Sequence, residues 1–364
     1  MTSKHVRRTV TALVSAVSVA TAGAQAPAVG AKLYVTNQSG ASISVIDQNR
    51  FTVDTVIDLT KLGFSANAKP HHTAVERDGS FWYATLIGDG KVLKFDRTNR
   101  LVGQVSMETP GLIAMDPVND SLFVGRSMTA VNPPKSLGVI KRSTFTLIEE
   151  QEIIIPRPHA LVATRDGKWV HAASLAENRI ASVETATGRV TLTTLQGVPR
   201  SMVQFTVSPD GSRLIVGGEL SNSVMIFDLT KPPPFTPIAE FSVTGKPWDP
   251  VFSPDGKRAY FSQFADTTVA EIDVAAGKIT RRIAGPFAQP YDMIMRADGK
   301  YLFVVNQNVG APKAAMTGHE NMPGMSTPVA TNGWLSVVNV ATGAVEKRIP
   351  LGAGPTGMGA AGAR

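Results

Sequence analysis

Short apolar runs separated by turn residues recur from residue 32 to the end of the chain. Runs such as "FWYATL", "WVHAAS" and "LIVGGE" are about six residues long and rich in aromatic or small apolar residues, which is typical of strands and too short for a helix. Most follow an Asp-Gly turn, as in "ERDGS", "TRDGK" and "SPDGK", and glycine supplies the positive φ of a tight hairpin. The pattern predicts an all-β chain of consecutive hairpins.

A proline precedes the first strand of each repeat. The anchoring prolines are Pro70, Pro110, Pro158, Pro199, Pro247, Pro290 and Pro355. Their spacings of 40, 48, 41, 48, 43 and 65 residues match the period of four-stranded propeller blades that carry loop insertions. The sequence therefore predicts a single seven-bladed β-propeller over residues 32–364.

The last blade is split between the two ends of the chain. The segment "GPTGMGAAGAR" offers only a first strand, whereas "KLYVTNQSGASISVIDQNRFTVDTVIDL" offers three strands without a first one. Pairing the two segments closes the ring, so that no blade edge is left open. We expect residues 33–37 to pair beside residues 356–362.

The segments "LYVTNQSGASISVID", "LFVVNQ" and "GWLSVVNVATGAVEKRI" resemble the YVTN family of β-propeller repeats, which occur in exported bacterial and archaeal proteins. The resemblance covers nearly all of residues 32–364. It implies the fold but no single function, because related propellers serve as binding platforms, surface-layer modules, lyases, lactonases or haem d1 carriers. No catalytic motif is carried over by the repeat itself.

The N-terminus has the composition of an export signal. Lys4, Arg7 and Arg8 precede an apolar stretch, and Ala22-Gly23-Ala24 fits a cleavage site. Residues 1–24 are therefore interpreted as a signal peptide and residues 25–31 as a short linker, which predicts a periplasmic or secreted protein. No segment is long and apolar enough for a membrane span.

Composition excludes several classes of site. The chain has no cysteine, which rules out disulfides, c-type haem attachment and iron–sulfur clusters. Its formal net charge is +7, part of which belongs to the signal peptide, and no Lys/Arg run indicates dedicated nucleic-acid binding.

Titratable and aromatic residues follow the anchoring prolines, where the innermost strands begin at one end of the central channel. We call this end the mouth. The predicted mouth residues with site chemistry are His71, His72, His159, Arg200, Trp248, Asp249, Tyr291 and Asp292. Such a ring could bind a metal ion or small molecule, or supply a general acid and base.

A Met/His-rich insertion lies between the second and third strands of the sixth blade, at about residues 308–332, and so on the mouth face. Met316, His319, Met322 and Met325 are spaced by three residues. Thioethers and imidazoles are ligands that favour Cu(I), so copper is a possible cofactor, with His71 and His159 as further ligands. A loop whose methionines bind nothing is the alternative.

Three functional hypotheses from different classes remain open. The first is a non-enzymatic binding protein for a metal or small ligand. The second is a lyase or lactonase with His71 or His159 as base and Arg200 holding an oxyanion, or a haem d1 carrier with one of these histidines as axial ligand. The third is an interaction scaffold for another exported protein. His171, in the middle of a strand, is expected to be a packed core residue.

Overall fold

The computed structural model describes residues 32–127, 132–309 and 331–361. Within these ranges the chain forms seven four-stranded antiparallel sheets arranged as the blades of a β-propeller. The helical segments of the described ranges are two short 3-10 turns, Gln38–Gly40 and Leu59–Leu62. The fold predicted from the repeat is confirmed. The predicted signal peptide and linker lie outside the described residues.

Blades 1 to 6 each use four consecutive strands, numbered from the channel outwards. Blade 1 comprises β4 (Pro70–Val75), β5 (Phe81–Leu86), β6 (Lys91–Asp96) and β7 (Leu101–Ser106). Blade 2 comprises β8 (Ile113–Met115), β9 (Ser121–Val124), β10 (Ser136–Lys141) and β11 (Thr146–Glu152). Blade 3 comprises β12 (Pro158–Ala163), β13 (Trp169–Ser174), β14 (Arg179–Glu184) and β15 (Val190–Thr194).

The second half of the ring repeats this arrangement. Blade 4 comprises β16 (Met202–Val207), β17 (Arg213–Gly218), β18 (Ser223–Asp228) and β19 (Pro237–Ser242). Blade 5 comprises β20 (Pro247–Phe252), β21 (Arg258–Gln263), β22 (Thr268–Asp273) and β23 (Lys278–Ala284). Blade 6 comprises β24 (Pro290–Met295), β25 (Tyr301–Asn306), β26 (Asn332–Asn339) and β27 (Val345–Ala353).

Blade 7 joins the two ends of the described chain. It comprises β28 (Pro355–Ala360), β1 (Lys32–Asn37), β2 (Ser42–Asp47) and β3 (Thr52–Asp58). In the β28–β1 pair, Leu33 lies opposite Ala360 and Asn37 lies opposite Pro355. The predicted pairing of N- and C-terminal strands is present, and it leaves the ring without an open inner edge.

The hydrophobic core lies between neighbouring blades. Trp82 of blade 1 stacks on Tyr34 of blade 7 with ring centroids 4.3 Å apart, and on Phe95 of its own blade at 4.1 Å. Since the faces of each sheet pack against its neighbours, the strands carry apolar residues on both sides. This packing fixes the angle at which each inner strand reaches the channel.

No helix within residues 32–127, 132–309 or 331–361 has the length and apolar character needed to cross a bilayer.

Candidate functional site

Each inner strand is preceded by one residue in the left-handed backbone region. The seven residues, with φ between 46° and 56°, are Lys69, Thr109, Arg157, Ser201, Lys246, Gln289 and Gly354. Six of them are not glycine, and such conformations cost on the order of 1–3 kcal/mol each. Since the same turn occurs in every blade, it defines the register in which the chain enters the mouth.

A β-bulge follows this turn in six of the blades. In blade 1 the pairing with β5 shifts between Pro70 and Thr73, and corresponding shifts occur in blades 3 to 7. Bulged residues leave the regular ladder and their side chains are re-aimed. In blade 1 the bulge places His71 and His72 at the mouth.

Side chains of the bulges also connect neighbouring blades. Asp249 Oδ2 accepts a hydrogen bond from the backbone N–H of Met293 at 2.6 Å, and Asp292 Oδ2 accepts one from Met358 at 2.7 Å. His72 Nδ1 accepts one from Ile113 at 3.3 Å. Each contact holds the next inner strand, so these side chains are positioned by the backbone of the following blade.

A cavity at the mouth of the channel is lined mostly by the bulged residues, and we call it the mouth cavity. It is narrow and open at one end. Its lining residues are His71, His72, Leu112, His159, Val203, Gln204, Trp248, Asp249, Tyr291, Asp292 and Gly357. The structure thus brings together seven of the eight predicted mouth residues.

The histidines of blades 1 and 3 lie side by side. The rings of His71 and His159 are edge-to-face with centroids 5.9 Å apart. His159 Nδ1 donates to the carbonyl of Val203 at 2.6 Å, and His71 Nδ1 faces Gln38 Oε1 at 3.1 Å. Because both partners are acceptors, each ring carries its proton on Nδ1 and presents a lone pair on Nε2.

His71 is neutral in the folded protein. Burial, and secondarily the nearby His159, lowers the pKa of His71 to about 3. Its Nε2 is buried and makes no hydrogen bond within the described residues. A buried acceptor without a partner costs about 1–3 kcal/mol, so this atom is a candidate contact for a ligand.

Other residues that line the mouth cavity are aromatic and acidic. The Trp248 and Tyr291 rings pack 4.7 Å apart at 49°. Burial and the charges of Asp292, Glu219 and Asp249 raise the pKa of Tyr291, so its hydroxyl stays protonated at neutral pH. The Glu219 carboxylate forms an ion pair with Lys246 at 3.4 Å.

Gly357 of blade 7 lets the backbones of two blades approach each other. A Cβ there would lie 2.3 Å from the His71 carbonyl oxygen and 2.7 Å from His72 Cα. Both atoms belong to the backbone of blade 1 and cannot shift without distorting its inner strand, so only glycine fits at this position. The Gly-rich final strand is therefore a close-contact element beside the histidines.

The placement of Arg200 at the mouth is wrong. Inner strand β16 begins at Met202, after the left-handed Ser201, so Pro199 is not the equivalent of the other anchoring prolines. Val203 and Gln204 occupy the lining positions instead. The Arg200 guanidinium binds both oxygens of Glu240 at 3.1 Å, where it stabilises blade 4.

The predicted metal ligands of the sixth-blade insertion, Met316, His319, Met322 and Met325, lie outside the described residues. Within the described ranges no group of three or more His, Asp or Glu side chains is arranged to hold a metal ion. The pair His71 and His159 is therefore the part of the predicted ligand set whose geometry is known.

His171 is a core residue, as its position in a strand predicts. It is 1% exposed, its Nδ1 lies 2.9 Å from Ser182 Oγ, and its ring packs on Phe235. Burial lowers its pKa to about 4.

The chain is similar in fold to solved structures of β-propellers. No protein-family model matches the chain, and no curated protein matches it. Among solved structures, the periplasmic gluconolactonase PpgL of Pseudomonas aeruginosa is 17% identical with a TM-score of 0.68, covering 90% of this chain and 98% of that chain.

Two further structures are similar over somewhat less of their length. Virginiamycin B lyase of Staphylococcus aureus is 15% identical with a TM-score of 0.62, covering 75% of this chain and 87% of that chain. Dihydro-heme d1 dehydrogenase NirN, in complex with DHE, is 14% identical with a TM-score of 0.57, covering 90% and 74%. At these identities the likeness shows the β-propeller fold alone.

Proposed function

We propose that this chain is an exported, non-enzymatic β-propeller that binds a small molecule or metal ion in the mouth cavity. The observation that carries the proposal is the buried Nε2 of His71, which lacks a hydrogen-bond partner among the described residues and belongs to a cavity lined by two further histidines and two aspartates. A ligand that satisfies this nitrogen removes the cost of burying it.

Binding is preferred over lyase or lactonase catalysis for two reasons. A general base works best with a pKa near the operating pH, whereas the pKa of His71 is about 3. The cationic oxyanion holder of the enzyme hypothesis was Arg200, and that guanidinium is paired with Glu240.

Thermal unfolding in the presence of periplasmic small molecules tests the proposal. A ligand that binds only the folded protein raises its Tm by mass action. The substitution Val203→Phe adds a ring to the lining of the mouth cavity and serves as the blocked control. We expect a mixture of small molecules extracted from the periplasm to raise the Tm of the wild type but not the Tm of Val203→Phe. No shift, or equal shifts in both proteins, would contradict binding in the cavity.

Export is supported by the signal-like residues 1–24 and by the resemblance to the YVTN family. The fold likeness to a periplasmic gluconolactonase agrees with this location. N-terminal sequencing of the secreted or periplasmic protein tests it, and we expect a mature chain that begins at Gln25. A chain that keeps its first 24 residues would contradict export by this route.

Copper is the second candidate ligand. In His71 and His159 the Nδ1 atom is held by an oxygen acceptor while Nε2 carries the lone pair, which is the arrangement of metal-ligating histidines. Titration with Cu(I) against a competing chelator tests this candidate. We expect His71→Ala and the triple replacement of Met316, Met322 and Met325 by Leu each to lower the affinity. Unchanged binding in both variants would exclude copper at this site.

A further inference from the structure

The mouth cavity is lined by several side chains that accept hydrogen bonds. His71, 2% exposed, carries a lone pair on an Nε2 that has no partner among the described residues. Asp249 and Asp292, 4% and 5% exposed, line the same cavity. None of the lining residues is Lys or Arg, so among the lining side chains negative charge predominates.

Aromatic rings stand beside the two carboxylates. Trp248 and Tyr291 directly precede Asp249 and Asp292 in their strands, and both pairs line the cavity. The faces of such rings attract organic cations, by about 0.5–2 kcal/mol, most strongly where water is excluded. The Lys246 ammonium near this side is paired with Glu219, which reduces its repulsion of a bound cation.

We infer that the ligand of the mouth cavity is a small organic cation with N–H donors, such as a primary ammonium. Its charged end would lie between Asp249 and Asp292 against the Trp248 and Tyr291 rings, with a donor directed to His71 Nε2. This inference rests on the proposed function and specifies its ligand class. A metal ion fits the described residues less well, because they hold no cluster of three ligating side chains.

Three probes of matched length test the ligand class: butylammonium, butan-1-ol and butanoate, which differ in charge. Binding to the full chain is followed through the NMR signals of the His71 and His159 imidazoles. We expect butylammonium to shift both signals with an affinity about tenfold or more above that of butan-1-ol, and butanoate to leave them unchanged.

Asp249→Asn and Asp292→Asn provide the matched variants. Asparagine keeps an oxygen that accepts the inter-blade hydrogen bond, so the strand contacts to Met293 and Met358 are retained while the charge is lost. Each variant should lower the affinity for butylammonium by about tenfold and leave that for butan-1-ol unchanged. Glu149→Gln, an equal charge change on the exposed outer strand β11, should alter neither.

The outcomes separate the ligand class from the proposed function. If butan-1-ol or butanoate shifts the imidazole signals as strongly as butylammonium, the cavity binds ligands but the cationic class is wrong. Equal losses of butylammonium affinity in Glu149→Gln and in the two Asp variants would also overturn the cationic ligand class. If no probe shifts either imidazole signal, both the ligand class and binding in the mouth cavity are contradicted.

Discussion

The hydroxyl groups of Thr36 and Thr356 lie 2.9 Å apart although 320 residues separate them in the chain. Thr36 Oγ1 also accepts a hydrogen bond from the N–H of Gly357 at 2.9 Å. This buried contact connects the first described strand, β1, to the last one, β28, directly behind the His71 backbone. Ring closure and the geometry of the mouth cavity therefore depend on the same residues.

Removing the Thr36 hydroxyl should weaken the closure. In Thr36→Val the Gly357 N–H loses its partner in a buried position, so we expect a loss of about 1–3 kcal/mol in the free energy of unfolding. Denaturant unfolding measures it. Thr55→Val, on the exposed strand β3, should change the stability by no more than about 0.5 kcal/mol. Equal effects at both positions would show that the Thr36 contact does not support closure.

The free energy of unfolding should decrease as the pH falls from 6.5 to about 5, a range above that in which most carboxylates titrate. The pKa values of His71 and His171 lie near 3 and 4 in the folded protein, below the ordinary 6.5, so between pH 6.5 and about 5 the unfolded chain binds more protons. Each histidine then lowers the free energy of unfolding by up to about 1.4 kcal/mol per pH unit. Above pH 6.5 both contributions are constant.

Denaturant titrations at several pH values measure this slope. His171→Gln removes one of the buried histidines, so the slope of this variant should be smaller than that of the wild type. A wild-type stability that is flat from pH 6.5 to 5 would contradict the burial of neutral histidines.

Arg200 should matter for stability and not for the mouth cavity. Arg200→Gln removes the partner of Glu240, and because the Glu240 side chain is 36% exposed to solvent, we expect a loss of about 1 kcal/mol in the free energy of unfolding. The imidazole NMR signals of His71 and His159 should stay where they are in the wild type. Displaced imidazole signals with unchanged stability would place Arg200 at the mouth after all.

The repeat predicted the ring because strand length, Asp-Gly turns and a proline period are all local properties of the sequence. The same proline rule failed in blade 4, because Met202, and not a proline, follows the left-handed residue Ser201 there. With β16 beginning at Met202, Val203 and Gln204 line the mouth cavity in place of Arg200.

Other parts of the site depend on contacts between distant segments. Gln38, which orients His71, precedes it by 33 residues. No sequence motif indicates the hydrogen bond between these two side chains. The sequence shows Gly357 only as one of several glycines near the C-terminus. That this position requires glycine follows from the close approach of the His71 carbonyl in the neighbouring blade. Such features arise from the closed ring, so the linear sequence does not reveal them.

Native mass spectrometry of the protein isolated from the cells that produce it tests binding in the mouth cavity most directly. We expect a mass above that of the mature chain. The additional mass should be released on denaturation as a small molecule or metal ion, and it should be absent from Val203→Phe isolated in the same way. The bare mass of the mature chain, or an adduct that persists in Val203→Phe, would contradict binding in the mouth cavity.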